Sequence, residues 1–381
     1  MKLPFTAIAL AACSAAMMIT TVSAQVAEVT IIDNHGNPVA AKCSSTSCQL
    51  AAAISSWMTS NDIPAAQLAV RENGKLIISH AYTLKGSGYK TVTTSNVFRL
   101  ASISKMLVTA AYSQMLTEGK LTGNEYVFPY LGITAPLLSS ETPSSLINTI
   151  TVNELYEHTS GLPGSGVGDP LFEMRDIEVE LGAEPLSELQ FAEYLYGVPL
   201  NSIPGEVYNY SNVGYFLLAM VVEKAANQEY FSYITKNLLK PLKMTNWTLS
   251  PTLESKASPN EITADDSYTG PSVFDLSPNA PLKPFNFEGG DIIWELTKGP
   301  TDLVTDATSV SNFIHTWDVY GLGARQYDYA RSGCVPGVAT WAESLNATID
   351  FALLFNSEPC LDFTSTVIEQ ADSILNAPIT Q

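Results

Sequence analysis

The chain has 381 residues, 46% of them hydrophobic, enough to bury one large core or two fused lobes. A formal net charge of −19 serves solubility first, and it argues against nucleic acid and anionic membrane surfaces as partners. The histidines are scattered, and no Cys or His spacing suits a zinc or haem site, so neither a metal nor a cofactor is expected.

In chain order, Lys2 precedes an apolar run from Ala7 to Met18, and Val22-Ser23-Ala24 follows before Gln25. The run is too short to span a bilayer and reads as an export signal over residues 1–24. Leu10-Ala11-Ala12-Cys13 offers a rival lipoprotein-type cut, ranked second because the apolar run continues past Cys13. No later segment is long and apolar enough for a stable membrane span. Cleavage after Ala24 leaves Cys43, Cys48, Cys334 and Cys360, an even set that in an exported chain favours disulfides. Cys43–Cys48 with Cys334–Cys360 is the preferred pairing, and the other pairings stay open.

Cys48 to Met58 has helical spacing, with Leu50, Ile54, Trp57 and Met58 on one face. Gln67–Arg71 and Lys75–His80 alternate around Asn73-Gly74, which predicts a hairpin. Ile103 to Glu118 reads as a helix stopped by Gly119. Residues 120–290 read as helix and loop. A helix runs from Val213 to Ala226, and acidic Pro/Gly-containing connections lie at Pro163–Gly182 and Thr263–Pro284. Strand patterns return at Tyr327–Ser332, Val338–Glu343 and Thr348–Phe355, and an amphipathic helix carries Phe363, Val367, Ile368, Ala371, Ile374 and Leu375. The expected fold is α/β (α+β): one antiparallel sheet built from both ends of the chain, over residues 25–100 and 290–381, with a helical lobe, 101–289, inserted between them.

A serine hydroxyl becomes a useful nucleophile only with a base within hydrogen-bond reach. Ser102-Ile103-Ser104-Lys105 places a lysine three residues on, at the same helical face. Burial of that ammonium would lower its pKa toward a usable base. The same spacing at Ser87…Lys90 lies in a Gly-containing turn with no helix behind it. Pro204 to Asn212 opens the helix at Val213, with Tyr210 and Asn212 projecting alike. Tyr210 is placed to relay a proton and Asn212 to hold the lysine and a substrate amide, unless Asn212 simply caps the helix. Arg331-Ser332-Gly333-Cys334 ends a strand whose edge would offer an N–H to an oxyanion.

Four ordered motifs carry a family resemblance: Phe98 to Lys105 with Glu118-Gly119-Lys120-Leu121, His158-Thr159-Ser160-Gly161-Leu162-Pro163, Tyr210-Ser211-Asn212-Val213-Gly214-Tyr215, and Leu239 to Thr245. Together they closely resemble the beta-lactamase-related serine hydrolases, which include class C beta-lactamases, D-alanyl-D-alanine carboxypeptidases, family VIII esterases and several amidases. The likeness runs from about Leu50 to the C-terminus. It implies a beta-lactamase/transpeptidase-like fold, Ser102 as nucleophile, Lys105 as partner base and Tyr210 as second acid or base. Asn212 matches the amide-binding asparagine, and the N–H groups of Ser102 and Cys334 match the oxyanion hole. Arg331, Ser332 and Gly333 match a substrate-binding motif that usually begins with Lys or His. His158 and its neighbours look structural.

Arginine there keeps the charge but is planar and never deprotonated, so it suits a substrate carboxylate better than lactam chemistry tuned around lysine. Its alternative role is pairing with a nearby acid at the cleft rim. The expected activity is acyl transfer from a small-molecule or peptide ester or amide to water, with an esterase, amidase or carboxypeptidase ahead of a true class C-like beta-lactamase. The alternative from another class is a secreted binding protein that kept the fold and lost turnover. A Ser-His-Asp hydrolase of the nucleophile-elbow type is excluded, because no G-x-S-x-G occurs.

Overall fold

A computed structural model describes residues 30–32, 38–39, 45–84, 89–166, 168–182, 185–264, 268–323, 325–357 and 359–380. The expected export signal, Cys13 and Cys43 lie outside them. The strands are β1 Thr30–Ile32, β2 Pro38–Val39, β3 Ala65–Glu72, β4 Lys75–Thr83, β5 Phe98–Arg99, β6 Thr248–Leu249, β7 Thr269–Pro271, β8 Leu282–Pro284, β9 Leu303–Thr305, β10 Tyr329–Val335, β11 Val338–Ser344 and β12 Ile349–Phe355. The α-helices are α1 Thr46–Ser60, α2 Lys105–Thr117, α3 Val127–Leu131, α4 Val152–Tyr156, α5 Met174–Leu181, α6 Glu188–Gly197, α7 Asn212–Ala226, α8 Tyr230–Ile234, α9 Ala307–Trp317 and α10 Thr366–Leu375.

A seven-stranded antiparallel sheet runs in the order β10-β11-β12-β3-β4-β1-β2, joining strands from both parts of the chain as the patterning predicted. Asn73 and Gly74 both take positive φ, 50° and 78°, the twist a two-residue hairpin needs between β3 and β4. The sheet's two faces differ in residue size. Leu68, Val70, Phe351, Leu353 and Phe355 point to the side covered by α1 and α10. Ala65, Ala69, Ala342 and Ala352 point to the other, where the small side chains admit α9 and the rest of the core. Each fully buried Leu or Phe there contributes roughly 1.5–3 kcal/mol relative to exposure. Within the central segment α7 is apolar nearly all round and buried from Asn212 to Ala219, as a helix at the middle of a core must be.

Several expectations need correction. The helix expected from Ile103 begins as a 3-10 turn, Ala101–Ser104, and becomes α-helical only at Lys105. Part of the Pro163–Gly182 connection is α5, which buries Met174, Arg175, Ile177 and Glu178 on one face; flanking glycines and acids hid its short period. The stretch read as helix and loop also holds β6, β7 and β8, strands of two or three residues, too short to alternate visibly. Phe363 precedes the last helix and is 67% exposed, resting edge-on against Trp341. Asn212 does not cap α7. Ser211 does, its Oγ accepting from the Gly214 N–H at 3.1 Å.

Cys334 and Cys360 are joined, with Cα atoms 5.4 Å apart. Among the described residues no helix is long and apolar enough to cross a membrane. No group of three His, Cys, Asp or Glu side chains among them is placed to hold a metal ion.

Candidate active site

The turn that carries Ser102 is held from three sides. Ala101 has a left-handed φ of 48°, a conformation that costs a non-glycine residue about 1–2 kcal/mol. Neighbours impose it. The Leu100 N–H donates to the Leu303 carbonyl at 2.9 Å, and the Leu303 N–H donates to Ser104 Oγ at 3.1 Å. Thr340 Oγ1 donates to the Leu100 carbonyl at 2.8 Å. Gly333 lies flat against this turn: a Cβ there would sit 2.2 Å from the Leu100 carbonyl oxygen. Edge strand β10 can therefore run beside Ser102 only with glycine at that position.

In a 3-10 turn, residues three apart eclipse one another, and this brings Lys105 over Ser102. Lys105 Nζ lies 3.1 Å from Ser102 Oγ, 2.7 Å from Asn212 Oδ1 and 3.2 Å from the Pro300 carbonyl oxygen. The side chain is fully buried, and its hydrogen-bond partners among the described residues are a hydroxyl and two neutral carbonyls. Burial, reinforced by the Arg331 charge, holds its pKa well below the ordinary lysine value, which favours the neutral amine. Tyr210 Oη approaches Ser102 Oγ from another direction, at 2.9 Å. Burial raises the Tyr210 pKa, so the phenol keeps its proton. Its ring lies 4.7 Å from Lys105 Nζ.

Tyr210 is set by His158, whose ring stacks between Tyr210 and Tyr215 at 4.5 and 4.7 Å. His158 Nδ1 accepts from the Ser211 N–H at 3.1 Å, and burial pushes its pKa down to about 3, so it stays neutral. Asn212 is 3% exposed and faces the protein rather than the cleft. Its Oδ1 receives Lys105, while its Nδ2 donates to Asp169 Oδ2 at 2.7 Å and lies 3.4 Å from Ser165 Oγ.

Ser102, His158, Tyr210, Arg331, Ser332 and Cys334 share a cavity of about 650 Å3, also lined by Tyr156, Tyr208 and Tyr320. Arg331 Nη1 is buried without a hydrogen-bond partner, and among the described residues no carboxylate lies within ion-pair distance of its guanidinium. Its Cζ sits 5.4 Å from the Tyr320 ring centroid. The acid pairing weighed for it from the sequence is thus not formed. The sequence reading did not single out Asp169, Ser165, the Pro300 carbonyl or the tyrosine walls. They come from loops and helix ends with no local signature, brought to Ser102 only by the fold.

The family model described as Beta-lactamase matches residues 50–290, more than half of the chain. The chain belongs to that family. Protein flp of Staphylococcus aureus (strain NCTC 8325 / PS 47) is 28% identical over 202 residues, covering 50% of this chain and 36% of flp, so this chain spans little more than a third of that relative. Among solved structures, a class C beta-lactamase superposes with a TM-score of 0.65 at 17% identity, covering 90% of this chain and 99% of its own. A D-stereospecific amidohydrolase from Streptomyces sp. gives 0.59 at 18% identity, with 85% and 97% covered. The antiparallel sheet with flanking helices is the beta-lactamase/transpeptidase-like fold, and membership supports a serine hydrolase in general terms.

Proposed function

We propose that this Beta-lactamase family member is an exported serine hydrolase that cleaves an ester, amide or peptide through an acyl-enzyme on Ser102. The observation that carries this reading is the double approach to Ser102 Oγ, by Lys105 Nζ at 3.1 Å and Tyr210 Oη at 2.9 Å. In this mechanism neutral Lys105 takes the Ser102 proton, and Oγ bonds to the substrate carbonyl carbon. The carbonyl oxygen gains negative charge, which the N–H groups of Ser102 and Cys334 stabilise. As the tetrahedral intermediate collapses, the bond to the leaving group breaks, and Tyr210 hands that group its phenolic proton. The Lys105 ammonium then restores the Tyr210 proton. Water repeats the cycle on the acyl-enzyme and releases the acid.

Arg331 would hold a substrate carboxylate, and its unpaired guanidinium inside the cavity supports that role. A permanently charged arginine favours esters, amides or peptides that carry an anionic group. Export is supported by the sequence of residues 1–24 and by the Cys334–Cys360 bond.

The test is covalent labelling with a fluorophosphonate, read by intact mass. One adduct on the wild type and none on Ser102→Ala is expected, with Lys105→Ala and Tyr210→Phe slowed by about 10²–10⁴. An unlabelled wild type, or unchanged labelling of Ser102→Ala, would falsify the enzyme reading and leave a secreted binding protein with the same fold.

A further inference from the structure

We infer that Asp169 is a positioning residue: by fixing which way the Asn212 amide faces, it aims the Lys105 lone pair at Ser102. The inference rests on the proposed role of Lys105 as base and adds a residue that the hydrolase motifs do not contain.

The argument is one of donors and acceptors. A neutral lysine amine has two hydrogens and one lone pair, and three groups surround Lys105 Nζ. The Pro300 carbonyl, at 3.2 Å, can only accept. With Oδ1 of Asn212 facing Nζ at 2.7 Å, the second neighbour is also an acceptor. Both hydrogens are then taken, and the lone pair is left for the Ser102 hydroxyl at 3.1 Å. If the Asn212 amide turned over, its NH2 would face Nζ and occupy that lone pair. Lys105 would then offer Ser102 a hydrogen instead of a base.

Asp169 prevents the flip. An ionised carboxylate has no hydrogen to give, so Oδ2, at 2.7 Å, demands the Nδ2 side of Asn212. Its other oxygen is committed to the chain: Oδ1 accepts from the Leu171 N–H at 3.1 Å, starting the turn Pro170–Phe172. With 1% exposure the carboxyl has no solvent alternative. Ser165 Oγ, at 3.4 Å, is a hydroxyl that either gives or takes and enforces no orientation.

The lock holds only while Asp169 is ionised. Protonated, it would tolerate either face of Asn212. The titratable groups around it are Lys105 and Glu173, with Arg175, Asp176 and Asp291 lining the adjoining cavity. Burial is the largest influence and pushes the carboxyl up to about 6, while the Asn212 and Leu171 bonds act downward.

The experiment compares fluorophosphonate labelling rates for the wild type, Asp169→Asn, Asp169→Ala, Asn212→Leu and the Asp169→Asn/Asn212→Leu double variant. Rates are taken from pH 5 to 9, with melting followed by circular dichroism. Asp169→Asn puts an NH2 against either Leu171 or Asn212, so both single Asp169 variants should label roughly 10- to 100-fold more slowly at pH 7.5. The double variant should be no slower than Asn212→Leu alone, because Asp169 acts through Asn212. Folded Asp169 variants labelled within about twofold of wild type, or losses that multiply in the double variant, would overturn the inference. Should neither Asp169 variant fold, the wild-type and Asn212→Leu profiles decide. A fall as pH drops through about 6 that is present in the wild type and absent from Asn212→Leu supports the lock. Profiles of the same shape, which Lys105 protonation alone would give, reject it. A wild type that is never labelled at any pH would instead be a failure of the Ser102 reading.

Discussion

Thr340 Oγ1 donates to the Leu100 carbonyl at 2.8 Å, tying β11 to the turn that presents Ser102. The bond is buried and sits beside Gly333, so one contact sets the distance between the Ser102 turn and the edge strand carrying Cys334. Thr340→Val keeps the shape and removes the donor. The expected result is a stability loss of about 1–3 kcal/mol by urea denaturation. The fall in kcat should exceed any rise in KM, because a misplaced oxyanion donor harms the transition state most. Gly333→Ala should be worse on both counts, since its Cβ would meet backbone at 2.2 Å.

Arg331 should govern which acyl compounds are turned over. A panel of p-nitrophenyl esters, D-amino-acid peptides and a chromogenic cephalosporin, run on wild type, Arg331→Lys and Arg331→Ala, reads this directly. Arg331→Ala should lose roughly 2–5 kcal/mol of kcat/KM for carboxylate-bearing substrates and little for neutral esters. Arg331→Lys should recover part of the loss and shift relative preference toward the cephalosporin. Equal losses across the panel would mean the guanidinium shapes the cleft without binding substrate.

One position before Leu100, at the mouth of the same turn, the chain buries an ion pair. Arg99 Nε meets Glu261 Oε1 at 3.0 Å, with side-chain exposures of 1% and 2%, and the guanidinium lies 4.2 Å from the Phe287 ring and 4.6 Å from Trp294. It fastens the segment after Pro251, whose carbonyl accepts from Arg99 Nη2 at 2.9 Å, to the base of the site. Glu261→Ala strands a buried cation and should cost about 3–5 kcal/mol, measured by chemical denaturation. Replacing both partners with apolar residues, Arg99→Met with Glu261→Leu, should cost far less.

Stability should fall as pH rises through the neutral range. Burial pushes Glu343 up to about 7 and Asp372, on the helix facing it, up to about 6. An unfolded glutamate titrates near about 4.3, so between there and pH 7 the folded state keeps a proton that the unfolded state has released. Fewer protons on the unfolded chain means stability declines with pH across that window. His158, pushed down to about 3, works in the opposite sense, but only below about pH 6.5. Melting temperatures at pH 5 and pH 8 check this: Glu343→Gln should reduce the drop, and an unchanged drop would count against the buried acid.

Much of the fold was legible because its signals are local. Asn73-Gly74 marks a turn by its own backbone preference, and Ser102 with Lys105 is a spacing that any helical turn converts into contact. Both ends of the sheet announced themselves by alternation. Asp169 was not legible, because nothing near Gly168-Asp169-Pro170 shows that this loop acid turns inward to meet Asn212. Phe363 misled for a simpler reason: it has the right spacing for α10, but the helix starts after it, at Thr366. The third motif was visible as a pattern, yet the need for glycine at 333 follows only from the nearness of Leu100.

The strand order also has a consequence in time. β3 and β4 form a local hairpin, but the open edge of β3 is filled only by β12, Ile349–Phe355, and the edge strand beside Ser102 reaches the rest of the sheet only through β11 and β12. During synthesis, the hairpin waits with a free edge while all the residues between Thr83 and Ile349 emerge. Non-local closure of this kind is slow, and it leaves the early strands open to wrong partners. The surroundings of the turn that presents Ser102 are therefore assembled last: the cleft is complete only when the chain's own far end has come home.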